Sequence, residues 1–89
     1  MEETIRLKIE AGLTPIHLEV INESHLHSGH AGSPGTGESH FRLKIVAEAF
    51  EGKSRVERHR IVNALLSDEL AGTLHALAIR ASSPAEAAR

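Results

Sequence analysis

FRLKIVAEAFEGKSRVERHRIVNALL, residues Phe41 to Leu66, changes its hydrophobic period once, and that change decides the fold. Phe41, Leu43, Ile45 and Ala47 alternate with Arg42, Lys44 and Val46, the period-two pattern of a strand with one buried face. After Gly52 the spacing becomes helical. Ser54-Arg55-Val56-Glu57 fits a capping box, and Ile61, Val62, Leu65 and Leu66 form an apolar stripe opposite Lys53, Arg55 and Arg58. Leu74 to Ile79 is the next segment that can rejoin the sheet, and a helical crossover makes it parallel to the strand that was left. Its apolar residues fall on both parities, so it reads as an interior strand.

Working outward, Ile16, Leu18 and Val20 alternate with His17, Glu19 and Ile21, predicting a strand antiparallel to the one from Phe41. Met1, Ile5, Ile9 and Leu13 stand four apart and predict an amphipathic helix from Glu2 to about Gly12. Glu2 and Glu3 favour its N-terminus, Gly12 suits its C-terminal cap, and Pro15 stops it. Ser67-Asp68-Glu69 reads as a second cap that re-aims the helix before Gly72, and Ser83-Pro84-Ala85-Glu86 as a third, opening a short helix at about 84–89. Between the first two strands, residues 22–38 hold four glycines and Pro34 with no periodicity, which predicts a long flexible loop. The order is α-β-β-α(α)-β-α, an α+β domain with helices on one face of a three-stranded mixed sheet.

Eighty-nine residues suffice for one domain, 1–89. With no cysteine there is no disulfide framework, and the acidic Met1-Glu2-Glu3-Thr4 start lacks the basic and apolar segments of a signal peptide. No apolar run approaches the roughly 18 residues of a membrane span, so the expectation is cytoplasmic, with no membrane. Formal charge is -2 with seven histidines neutral, and their protonation would reverse the sign. Two Phe, without Trp or Tyr, leave little platform for stacking single-stranded bases.

Candidate sites follow from residue chemistry. Gly52-Lys53-Ser54 sits between strand and helix like a phosphate loop, but Ala47 stands where the pattern needs glycine, and Glu48, Phe50 and Glu51 crowd the turn. Nucleotide hydrolysis is rejected. No nucleophile elbow is present, so a binding module is expected rather than an enzyme. Lys53, Arg55, Arg58, His59 and Arg60 form a basic run that could meet the phosphates of duplex DNA, although motif grounds alone favour a solvated helix face. His25, His27 and His30 offer metal-ligand chemistry on a glycine-rich tether, against the alternative of surface histidines. His75 shares its strand face with Leu77 and Ile79. It reads either as a ligand or as a strand-end histidine bonded to backbone.

Several ordered motifs carry a family resemblance. Glu23-Ser24, Gly37-Glu38-Ser39-His40-Phe41, Phe50-Glu51-Gly52-Lys53-Ser54, Arg58-His59-Arg60-Ile61-Val62, Asp68-Glu69-Leu70 and Leu74-His75-Ala76-Leu77-Ala78 together resemble the BolA family, from the first helix to about Pro84. The resemblance implies a class II KH-like fold and a monothiol glutaredoxin partner. The two would share a bridging [2Fe-2S] cluster held by the glutaredoxin cysteine, glutathione and histidine from this side. His75 matches the family's cluster histidine and His30 its variable loop ligand, with His27 and His25 as alternatives; the absence of cysteine fits the histidine-loop members. A second implied role is transcriptional regulation through DNA, on the helix bearing Arg55, Arg58, His59 and Arg60 with Lys53 beside it. One departure stands out. Where nucleic-acid-gripping KH domains carry Gly-x-x-Gly, this chain has Leu66-Ser67-Asp68-Glu69, which would repel phosphate.

Overall fold

The computed structural model describes residues 1–23, 40–72 and 74–88. Its elements are helix α1 (Glu2–Leu13), strands β1 (His17–Asn22) and β2 (His40–Val46), a 3-10 turn (Glu48–Phe50), helices α2 (Arg55–Leu65) and α3 (Ser67–Ala71), strand β3 (Ala76–Ser82) and helix α4 (Pro84–Ala87). The sheet runs β1-β2-β3, with β1 antiparallel and β3 parallel to β2. The period change in residues 41–66 therefore has the predicted result: strand, crossover helix, parallel strand.

β2 is the central strand, and its Phe41, Leu43 and Ile45 are essentially fully buried. In register, Leu43 lies between Val20 and Ile79, and Ile45 between Leu18 and Ala81. This row packs with Ile5, Ile9 and Leu13 of α1, Val62 of α2, and Phe50, Leu66 and Leu74 in one hydrophobic cluster. The other face of the sheet carries Glu19, Lys44 and Arg80 in one row and Ile21, Arg42 and Ala78 in the next.

Four details depart from the sequence-based expectation. β3 is an edge strand, not an interior one: Ala76, Ala78 and Ala81 make up most of its apolar pattern, and alanine reads as apolar but buries little, with Ala76 exposed. Ile16 lies ahead of β1 with its side chain in solvent, 67% exposed, while its N–H donates to Val46 O. Gly12 is not the helix cap. Thr14 adopts the left-handed conformation (φ 45°, ψ 58°) and its N–H donates to Glu10 O at 3.0 Å. Gly12 instead lets α1 approach α2, since a Cβ there would sit 2.6 and 2.8 Å from the Leu65 Cδ atoms.

The fourth concerns the 67–69 cap. α3 begins from Leu66 with no side-chain cap bond. The acidic residues serve a tertiary role: Lys8 Nζ of α1 donates to both Glu69 carboxylate oxygens at 2.8 and 3.0 Å, with Asp68 at 3.7 Å. This hydrogen bond holds the Glu69 carboxyl below its ordinary range and Lys8 above its own. The other two capping boxes form as expected, Ser54 with Glu57 and Ser83 with Glu86. Ahead of α2, Gly52 at φ 74° follows Glu51 at φ -61°, ψ 130°, and Lys53 N–H closes on Phe50 O at 3.1 Å. That is a type II turn, which places glycine where φ must be positive. No helix among the described residues is long and apolar enough to cross a membrane.

Candidate functional site

Two regions hold the candidate residues, at opposite ends of β3. The first is the end of the sheet where β1 finishes and β2 and β3 begin. There the Glu23 N–H donates to His40 O at 2.9 Å, Arg42 Nε donates to the Glu23 carboxylate at 3.0 Å, and His40 is in register with Ala76. His75 stands one residue before β3, and its side chain is exposed rather than packed in place of an apolar residue. Its neighbour explains why its backbone is nonetheless fixed. Leu74 is 1% exposed and its N–H donates to Glu69 O at 3.1 Å, while Ala76 is paired to β2 on the other side.

His25, His27 and His30 lie outside the described residues, in segment 24–39 between Glu23 and His40. Both covalent anchors of that segment are at the same end of the sheet as His75. His30 is seven residues from Glu23, so chain length allows a span of up to about 23 Å. No group of three His, Cys, Asp or Glu that could hold a metal ion occurs among the described residues. At this end of the sheet the described residues contribute one exposed imidazole on a fixed backbone, His75, and a complete ligand set there would include groups from elsewhere. His40 is a further imidazole at this end that sequence reasoning did not single out. Its place beside Ala76 comes from the parallel register, which no local pattern reveals.

The second region is a cleft of about 550 Å³ beside the C-terminal half of β3, lined by Arg42 and Arg80 from the sheet, Lys53 ahead of α2, Arg55, Arg58 and His59 at the start of α2, and Glu86 of α4. Lys53, Arg55 and Arg60 are exposed and His59 is half-buried. Arg58 behaves differently from its neighbours. Its side chain, 11% exposed, donates through Nη1 to Ala81 O at 3.0 Å and the Glu86 carboxylate at 2.6 Å, and through Nε to Lys53 O at 3.0 Å. The guanidinium also lies 5.9 Å from the Phe50 ring centroid. Glu86 Oε1 further accepts the Ser83 N–H at 2.7 Å. Arg58 first, and the Ser83 backbone second, hold the Glu86 carboxyl down at about 2. Arg58 thus ties α2, β3 and α4 together, with those donors turned inward.

Comparison with known proteins agrees with the sheet order and helix placement. The BolA domain of SufE1 from Arabidopsis thaliana superposes with a TM-score of 0.86 at 50% identity, covering 96% of this chain and 93% of that one. BolA1 from Arabidopsis thaliana superposes at 0.87 and 42% identity, over 97% and 94% of the two chains. BolA-like protein 1 of Bos taurus is 52% identical over 97% of this chain, which spans 61% of the cattle protein. The chain also spans 23% of the SufE-like protein 1 of Arabidopsis thaliana, whose name places it in chloroplast and mitochondrion. A family profile described as BolA-like protein matches residues 9–86, almost the whole of the fold. Sheet topology, relatives and profile agree, and the chain belongs to the BolA family.

Proposed function

We propose that this chain is a non-enzymatic adaptor that binds a monothiol glutaredoxin and shares a bridging [2Fe-2S] cluster with it, in iron sensing or cluster delivery. The supporting observation is the composition of one sheet end: an exposed His75 on a backbone fixed from both sides, beside the two anchors of the histidine-bearing segment. His75 is the fixed ligand and His30 the second, with His27 and His25 as alternatives. Glutaredoxin and its glutathione supply the thiolates that this chain lacks. Imidazole in place of thiolate on one iron raises the reduction potential of such a cluster, which suits sensing or transfer.

The fit is one of donor chemistry. Imidazole is a good iron ligand, and an exposed side chain on a fixed backbone can meet a partner-borne metal with little loss of backbone freedom on binding. The test uses the complex with a cluster-loaded monothiol glutaredoxin, read by visible circular dichroism. His75→Ala is expected to abolish the mixed-ligand spectrum while leaving far-ultraviolet dichroism unchanged. Separate His30→Ala, His27→Ala and His25→Ala variants identify the second ligand. An unchanged visible spectrum and cluster lifetime in His75→Ala would refute the assignment.

A further inference from the structure

The cleft beside β3 has an organisation that the cluster reading does not use. Ser82 O accepts from Ala47 N–H, so the backbone groups of Ser82, and by alternation those of Arg80 and Ala78, point toward β2. Those of Leu77, Ile79 and Ala81 point toward the open edge, consistent with Ala81 O accepting from Arg58. Arg58 caps the edge at Ala81 and, among the described residues, leaves Leu77 to Arg80 as a short stretch available for pairing. Leu77 and Ile79 are only half-buried, unlike Leu43 beside Ile79.

The charges along this cleft that make no ion pair among the described residues are of one sign. Arg42 is paired with Glu23, and Arg58 with Glu86. Lys53, Arg55 and Arg80 make no ion pair among the described residues. They also come from different sides. Arg80 is on the face of the sheet opposite the helices, in the row with Lys44, while Lys53 stands just ahead of α2 and Arg55 begins it, and α2 packs on the other face.

We propose that this cleft binds an extended acidic segment of a partner protein, added as a short strand along the Leu77–Arg80 edge. Successive side chains of an added strand point to opposite faces, so adjacent carboxylates reach Arg80 on one face and Lys53 and Arg55 on the other. A peptide fits better than a nucleic acid. The cleft offers alternating backbone donors and acceptors and the half-buried Ile79, with no aromatic platform for a base. Edge strands commonly carry cations to prevent unwanted pairing, and the same cations make pairing selective for an acidic strand.

The probe is the peptide acetyl-Val-Glu-Glu-Val-Asp-Glu-amide, titrated into isotope-labelled full-length chain by NMR. The expected result is amide shifts confined to Leu77–Ala81 and the start of α2, with slowed hydrogen exchange at the Ile79 N–H. Affinity should fall with added NaCl and drop at least about tenfold when Arg55→Ala and Arg80→Ala are combined. Both side chains are exposed and neither makes a capping-box bond. Should that double variant unfold, Lys53→Gln with Arg80→Gln gives the same reading. Unprotected Ile79, or affinity unchanged in a folded double variant, would overturn the proposal. So would inorganic triphosphate or a short DNA duplex binding these residues more tightly than the peptide.

Discussion

At its C-terminal end β3 is closed by Arg58, which bonds Ala81 O and Glu86, and by the Ser83 capping box, whereas at its N-terminal end the exposed His75 immediately precedes the first sheet pair. The closed end is held by side chains of α2 and α4 that meet at the Ala81 carbonyl of β3. The open end is held by the buried Leu74 side chain and by backbone bonds, through Leu74 on one side and Ala76 on the other, and no bond to the His75 side chain is part of it. This separation lets the exposed imidazole change without disturbing what fixes it. The cost of substitution should therefore divide sharply between the residues that hold the strand and the residue that it presents.

Leu74→Ala should show the largest effect, because it empties a fully buried site beneath the open end: about 3 kcal/mol of stability by chemical denaturation. A loss below about 1 kcal/mol would mean that Leu74 does not anchor His75. Arg58→Ala comes next, at about 2 kcal/mol, since Ala81 O and the Glu86 carboxylate both lose their charged donor. A neutral result would show that the closed end is held by packing alone.

Acid should weaken the closed end selectively. The Glu86 carboxyl is depressed to about 2 in the folded chain, against an unfolded value of about 4.3. Its stabilising contribution is thus complete above the unfolded value and lost as pH falls through the folded one. Glu86→Gln should flatten the pH dependence of stability between about 4.3 and about 2 relative to the parent chain. An identical slope would assign that acid sensitivity to other carboxylates, such as Glu69 with Lys8. The smallest effect on stability belongs to His75→Ala, within about 0.5 kcal/mol, despite the expected loss of the shared cluster. Destabilisation well beyond that would break the contrast between the two ends.

Much of the frame was legible from local pattern. The period change in residues 41–66, the apolar spacing of Ile5, Ile9 and Leu13, and the boxes at Ser54 and Ser83 each depend on residues within a few positions of one another. What escaped depended on distance. Arg58 reads as one more cation on a helix face until Ala81 and Glu86, 23 and 28 residues away, are folded against it. The edge position of β3 was hidden because alanine counts as apolar whether or not it is covered. Gly12 resembled a cap, since its contact with Leu65 depends on a helix crossing that no spacing encodes. Of the candidate ligands, the order of motifs singled out His75, but only the register shows it at the same sheet end as Glu23 and His40.

The bond from Glu23 N–H to His40 O seals the β1–β2 ladder just before the chain enters the sixteen residues 24–39. The pairs from His17 with Val46 to Asn22 with Phe41 set the β1–β2 register among the described residues. Lengthening such a connection is cheap, with each doubling adding only about 0.6 kcal/mol of closure entropy. A change in the length of the β1–β2 connection should therefore leave the scaffold's register in place, so that the two ends of the ladder act as a fixed mount for whatever length of chain joins them.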